Sequence, residues 1–198
     1  MQPKHDCKGL APFTKMVTNP QFKPGVLESR LSRAKTGARK KCFYKLGRGG
    51  WNQKFPFDPA WDKNKLGQGR SDCSGFISHT IITQRAPKPP SRKFWIETTA
   101  IYDDATGPCT NFVRIDRPCP GAMVVYPDKN GKQGHIGIIT DVRIMSDPER
   151  MLYEYDTIEC ASGLQGRIGK AIRKRVNAQN LFGKRESIFV CLKQDLHV

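Results

Sequence analysis

The sequence predicts an α+β domain in which N-terminal helices pack on a central antiparallel sheet. Three observations carry that prediction. Residues at helical spacing occupy the first half, at Val26, Leu27, Leu31, Ala34 and Ala38 and again at Phe76, Ile77, Thr80 and Ile81. Short β-branched or alternating runs occupy the second half, divided by strong turn residues. Helices first and strands afterwards is the pattern of α+β packing, and not of alternating βαβ units.

The elements follow in order. Residues 1–24, with Pro3, Pro12, Pro20 and Pro24, read as an extended arm, and residues 25–198 as a single domain. A chain of 198 residues suits one domain, at roughly 150 residues per domain. Val26 to Lys41 form the first helix, with Arg30, Arg33, Lys40 and Lys41 on its exposed face. Gly47-Arg48-Gly49-Gly50-Trp51 ends regular structure, and a loop rich in Pro, Asp and Lys runs to Arg70. A second helix starts at Cys73 and ends near Arg85, because Pro87, Pro89 and Pro90 cannot continue it. Strands are expected at Ala122–Tyr126, His135–Val142, Met151–Cys160 and Ser187–Leu192, the first two separated by the turn Pro127-Asp128-Lys129-Asn130-Gly131.

Composition narrows the function classes. The hydrophobic share is 37% and the mean hydropathy −0.57, as in soluble proteins. No apolar run approaches the roughly 18 residues of a membrane-spanning helix. The N-terminus lacks an apolar stretch of signal-peptide length, so work in a periplasm or cell wall would need export by another route or lysis-linked release. The net charge of +16, from 34 Lys+Arg against 18 Asp+Glu, implies an anionic partner: nucleic acid, a phospholipid surface or an acidic wall polymer. The excess gathers at Arg30 to Lys41, Lys170 to Arg175 and Lys184-Arg185. Of the seven cysteines none forms a Cys-x-x-Cys pair, and the four histidines are scattered, which argues against a structural zinc site; no cofactor is expected. With Cys73 free, the other six permit three disulfides without implying them. Cys42, Cys160 and Cys191 lie in apolar stretches and equally suit small buried hydrophobes.

Chemistry concentrates in two segments. In Arg70-Ser71-Asp72-Cys73-Ser74-Gly75-Phe76-Ile77 a cysteine stands between small polar residues at the start of an apolar helix. The thiolate is the nucleophilic form, and the orphan amides and positive dipole of a helix start favour an anion there. In Gly134-His135-Ile136-Gly137-Ile138-Ile139 a histidine opens a strand, where it can serve as the base. A third group must orient that imidazole. Glu159 is the choice and Asp156 the alternative; strand alternation puts Glu159 with Thr157 on one face and Asp156 with Ile158 on the other, so a regular strand presents only one acid to His135. Asp72 also suits a helix N-cap. The amide of Cys73 is placed to hold an oxyanion.

These segments resemble the NlpC/P60 cysteine peptidases. Asp72-Cys73-Ser74-Gly75-Phe76 matches the family's nucleophile motif, and Pro120-Gly121-Ala122-Met123-Val124-Val125-Tyr126 followed by Gly134-His135-Ile136-Gly137-Ile138 is similar to its paired strands. Tyr44-Lys45-Leu46-Gly47-Arg48-Gly49-Gly50 is similar to its tyrosine-plus-glycines segment. The resemblance covers about Val26 to Leu192. It implies a papain-like fold with the nucleophile at a helix N-terminus, Cys73, His135 and Glu159 as the catalytic set, and Tyr44, Asp72 and Ser74 as substrate contacts. Three features depart from the family pattern. Glu159 stands where members usually have His, Asn or Gln, as in the related CHAP amidases; Gly121-Ala122 lacks the usual aspartate; and an insertion of about 86–118 is expected to shape the groove.

The resemblance implies a peptidoglycan hydrolase, endopeptidase or amidase, acting on the wall's stem peptide as a phage lysin or an exported antibacterial effector. It would work as a monomer without a membrane span, and an effector would have an immunity or inhibitor protein as a further partner. The rivals are a thiol hydrolase of protein or lipid amides, and a basic nucleic-acid-binding protein using regions 26–41 and 170–185. Only the last is indifferent to Cys73→Ala.

Overall fold

The computed structural model of the chain describes residues 16–39, 42–49, 69–85, 95–144, 153–164, 166–176 and 187–197. The chain before residue 16 with Cys7, the loop holding Trp51 and Trp61, and the Lys184-Arg185 pair lie outside the described residues.

The first helix, α1 (Val26–Arg39), has Glu28 in its first turn and Arg39 in its last, both favourable to the helix dipole. Its inward side carries Ala34 and Gly37. The sequence placed Arg30 on the exposed face, and the structure corrects this: Arg30 is fully buried. It pairs with Asp195, donates to the Gly121 carbonyl at 2.9 Å, and lies 5.2 Å from the Phe22 ring centroid. The arm and the C-terminal segment close over it through the bridge Phe22↔Leu196, a burial that helical periodicity alone does not report.

Two short strands, β1 (Phe43–Tyr44) and β2 (Arg70–Ser71), pair in parallel and lead into α2 (Cys73–Thr80). This helix ends well before Arg85. Ile82 takes a left-handed φ of 52°, and the Thr83 amide bonds back to the Ser78 carbonyl at 3.0 Å. The prolines set an outer limit; the turn itself closes earlier and returns the chain to the helix start.

The expected insertion contains regular structure that the sequence reading left out: α3 (Thr98–Thr106) and β3 (Phe112–Ile115). Glu97 caps α3 by accepting from the Ala100 amide at 3.1 Å. The Asp104 carboxylate accepts from the amides of Thr110, Asn111 and Phe112, which turns the chain into β3.

The remaining strands are β4 (Met123–Tyr126), β5 (His135–Ile144), β6 (Tyr153–Ala161), β7 (Arg167–Val176) and β8 (Ile188–Leu192). The sheet order is β2-β1-β7-β6-β5-β4-β8-β3, antiparallel except for β1 with β2. The expectation of an α+β domain with helices and an antiparallel sheet therefore holds. Strand β7 was read only as a basic block, because its lysines and arginines mask the strand pattern.

The central strands of the sheet are buried on both faces. On one, Met123, Val125, Ile136, Ile138, Ile158, Cys160 and Val190 pack with Phe76 and Ile77 of α2 and Ile101 of α3. On the other, Val124, Ile139, Tyr155, Phe189 and Cys191 pack with Val17, Phe22 and Leu196. Double burial explains why β8, Ile-Phe-Val-Cys-Leu, is apolar at every position. The six described cysteines are free thiols, with Cys42, Cys160 and Cys191 buried among apolar side chains. Among the described residues, no helix is long and apolar enough to cross a membrane.

Candidate active site

Asp72 sets the start of α2. Its backbone is extended, and Oδ1 accepts from the Gly75 amide at 2.7 Å, an N-cap geometry. Cys73 is then the first helical residue, 8% exposed, with its amide among those that have no acceptor inside the helix.

His135 is the first residue of β5 and pairs across the ladder with Tyr126 at the end of β4. Its Nε2 lies 2.8 Å from Glu159 Oε2, and Cys73 is a second hydrogen-bonding partner of the ring. Burial opposes a charge on the imidazole. The bonds and charges of Cys73 and Glu159 outweigh it and raise the His135 pKa to about 9. The arrangement therefore favours a protonated imidazole at neutral pH, with the Glu159 carboxylate against it.

Glu159 is placed by the sheet. It stands opposite Gly137, two residues along β5 from His135, and is 1% exposed. Thr157 Oγ1 donates to its Oε1, leaving Oε2 for the imidazole. Asp156, the alternative, bonds Arg143 Nη2 at 2.7 Å instead. The register shift in this ladder falls between Ile139 and Asp141, beyond the Gly137–Glu159 pair, so the alternation of β6 is intact where it matters.

Gly137 shapes the same centre, a position the sequence reading quoted without a role. A Cβ there would come 2.6 Å from Glu159 Cγ and 3.3 Å from Oε1. The missing side chain leaves the space in which Glu159 lies across the strand towards His135. A glycine inside an otherwise apolar strand was the available signal, since it marks close approach.

Tyr44 sits beside the same centre. Burial, then the charges of Cys73 and Asp72, push its phenol up to about 12, so it stays protonated and able to donate near neutral pH. Two cavities flank the site. One of about 420 Å³ is lined by Tyr126, His135, Glu159 and Leu164. The other, about 250 Å³, is lined by Cys73, Arg85, Glu97 and Asp128. Tyr44, Gln133 and Gly134 border both. The insertion thus contributes Glu97 and Thr98 to the cysteine-side cavity.

Asp72 and Ser74, expected as substrate contacts, line that cavity with their polar atoms committed internally. Asp72 is 1% exposed; Oδ1 also accepts from Ser74 at 3.1 Å, and Oδ2 accepts from the Gly47 amide at 2.7 Å and Arg85 Nη2 at 2.6 Å. Arg85 also donates to Ser74 Oγ at 2.8 Å. His79 is buried on α2, and Trp95, partly buried, packs against the core with its ring centroid 6.1 Å from that of Phe112.

A thiol at a helix start, an imidazole bonded to it and a buried carboxylate behind the imidazole are the parts of nucleophilic acyl transfer. Comparison with protein-family models, with curated proteins and with solved structures finds no match for this chain.

Proposed function

We propose that the protein is a cysteine hydrolase of the NlpC/P60 type with a papain-like fold, cleaving an amide bond of the peptidoglycan stem peptide. The observation that carries this reading is the line Cys73–His135–Glu159, with the nucleophile opening α2 and Glu159 2.8 Å from the imidazole. The thiolate attacks the amide carbonyl, and the oxyanion forms near the Cys73 amide. His135 gives its proton to the departing amine, leaving a thioester on Cys73. It then takes a proton from water as the water oxygen attacks the thioester carbonyl; the C–S bond breaks, releasing the acid and returning the thiolate. Glu159 stabilises the imidazolium and holds the ring. The net charge of +16 suits an anionic wall polymer.

The test is digestion of purified sacculi by the wild type and by Cys73→Ala, with released fragments read by mass spectrometry. Muropeptides cut at one amide bond are expected from the wild type only, and their masses name the bond. An equally active Cys73→Ala variant refutes the mechanism. Intact sacculi beside cleavage of a protein or lipid amide by the wild type would move the substrate and keep the site.

A further inference from the structure

We propose that Arg85 is a positioning residue of this site, holding the start of the Cys73 helix in place and cancelling the charge of Asp72 beside the thiolate. It stands near the end of the segment that follows α2, and the early end of that helix brings its side chain back to the helix start. The guanidinium is buried, with 9% of the side chain exposed. Nη2 bonds Asp72 Oδ2 at 2.6 Å and Ser74 Oγ at 2.8 Å, the residues on either side of Cys73. Nη1 bonds the carbonyl of Arg48 at 3.1 Å and that of Gly49 at 3.4 Å. The Arg85 carbonyl accepts the amides of Trp95 and Ile96, just ahead of the Glu97 cap of α3. The side chain therefore ties the nucleophile's helix to the glycine segment after Tyr44, and the backbone of the same residue holds the entry to α3.

The contacts around it are tight. The Asp72 amide bonds the Arg48 carbonyl at 2.9 Å, and a Cβ on Gly75 would run into that carbonyl and lie 2.9 Å from the Gly49 carbonyl carbon. The glycine segment thus lies directly on the first turn of α2, and Arg85 fastens it there. Electrostatics gives the second role. Asp72 is a fixed negative charge next to the residue that must become negative, and a like charge so close opposes ionisation. The Arg85 ion pair removes that opposition while leaving Asp72 free to cap the helix. The other groups near Cys73 are Tyr44 from β1, His135 from β5, Glu159 and Cys160 from β6, and Glu97 and Asp128 across the cavity. Arg85 is the cation among them bonded to Asp72.

The proposal rests on the thiol-hydrolase reading, but its test needs no substrate. Alkylation of Cys73 by iodoacetamide is followed against pH by mass spectrometry in the wild type, Arg85→Met, Arg85→Lys and Asp72→Asn/Arg85→Met. Arg85→Met is expected to move the profile about one pH unit higher and to slow labelling about tenfold at mildly acidic pH. The double variant, with neither charge, is expected to return the midpoint close to the wild type. Arg85→Lys keeps the charge and is expected to keep the midpoint, with slower labelling through loss of the fork to Arg48 and Gly49. A wild-type profile in Arg85→Met overturns the charge role, and wild-type labelling rates in Arg85→Lys overturn the positioning role. Should Arg85→Met not fold, a shifted midpoint in Arg85→Lys or in the double variant overturns the charge role equally. Sacculus digestion tests the hydrolase reading separately, so the two failures are distinguishable.

Discussion

Replacing Gly137 with alanine should disable the site through a single methyl group. The added Cβ would lie 2.6 Å from Glu159 Cγ, and ordinary contact begins near 3.4 Å. Glu159 must therefore move by about 0.8 Å, the difference between those distances. Its Oε2 is 2.8 Å from His135 Nε2, and a displacement of that size takes it to the edge of hydrogen bonding, at about 3.6 Å. Loss of a charge-assisted bond of this kind is worth about 1.5–3 kcal/mol, and each 1.4 kcal/mol is a tenfold change in rate, so turnover should fall about 10- to 100-fold. The backbone φ of Gly137 is not positive, so alanine introduces no backbone strain. The assays are turnover on sacculi and an NMR titration of His135. The titration midpoint should drop below its value near 9 as the carboxylate withdraws. Wild-type turnover with an unchanged midpoint would refute the steric argument.

Other outcomes follow from the same geometry. Glu159→Gln keeps a hydrogen-bonding group without the charge; it should lower the His135 midpoint and slow turnover, read by the same titration. Because His135 is raised from its ordinary 6.5 to about 9, its proton is held through neutral pH and lost above. The activity profile should fall as pH passes about 9, where the acid for the leaving amine disappears. The stability contributed by that charged pair is complete below about 6.5 and should fade between there and 9, measurable by urea unfolding across that range. Arg30→Ala strands Asp195 beside a buried gap and should destabilise the fold by about 3–5 kcal/mol in urea unfolding, without altering the Cys73 alkylation profile.

Much of this was legible in one dimension because the information is local. Helical spacing from Val26 located α1 to within two residues of its observed end at Arg39. The strand runs at Met123, His135, Tyr153 and Ile188 carried their own apolar signatures. Asp72 as a helix cap, Cys73 as the first helical residue and His135 as the first of its strand all followed from residue type and neighbours. Alternation along β6 separated Glu159 from Asp156 before any coordinates did.

What stayed hidden depends on partners distant in sequence. Arg30 carries a charge that marks a surface position, and only the arm and Asp195 closing over it make it core. Strand β7 is too basic to announce itself and exists because β6 and β1 flank it. Arg85 read as the last residue before a proline-rich stretch. Its bonds to Asp72 and to two carbonyls of the glycine segment require the turn at Ile82 to bring it back. The sequence by itself determined that a cysteine opens a helix and a histidine opens a strand, since both are local patterns. Tertiary structure decided what surrounds them, because a buried charge or a missing Cβ has meaning only against the atoms packed beside it.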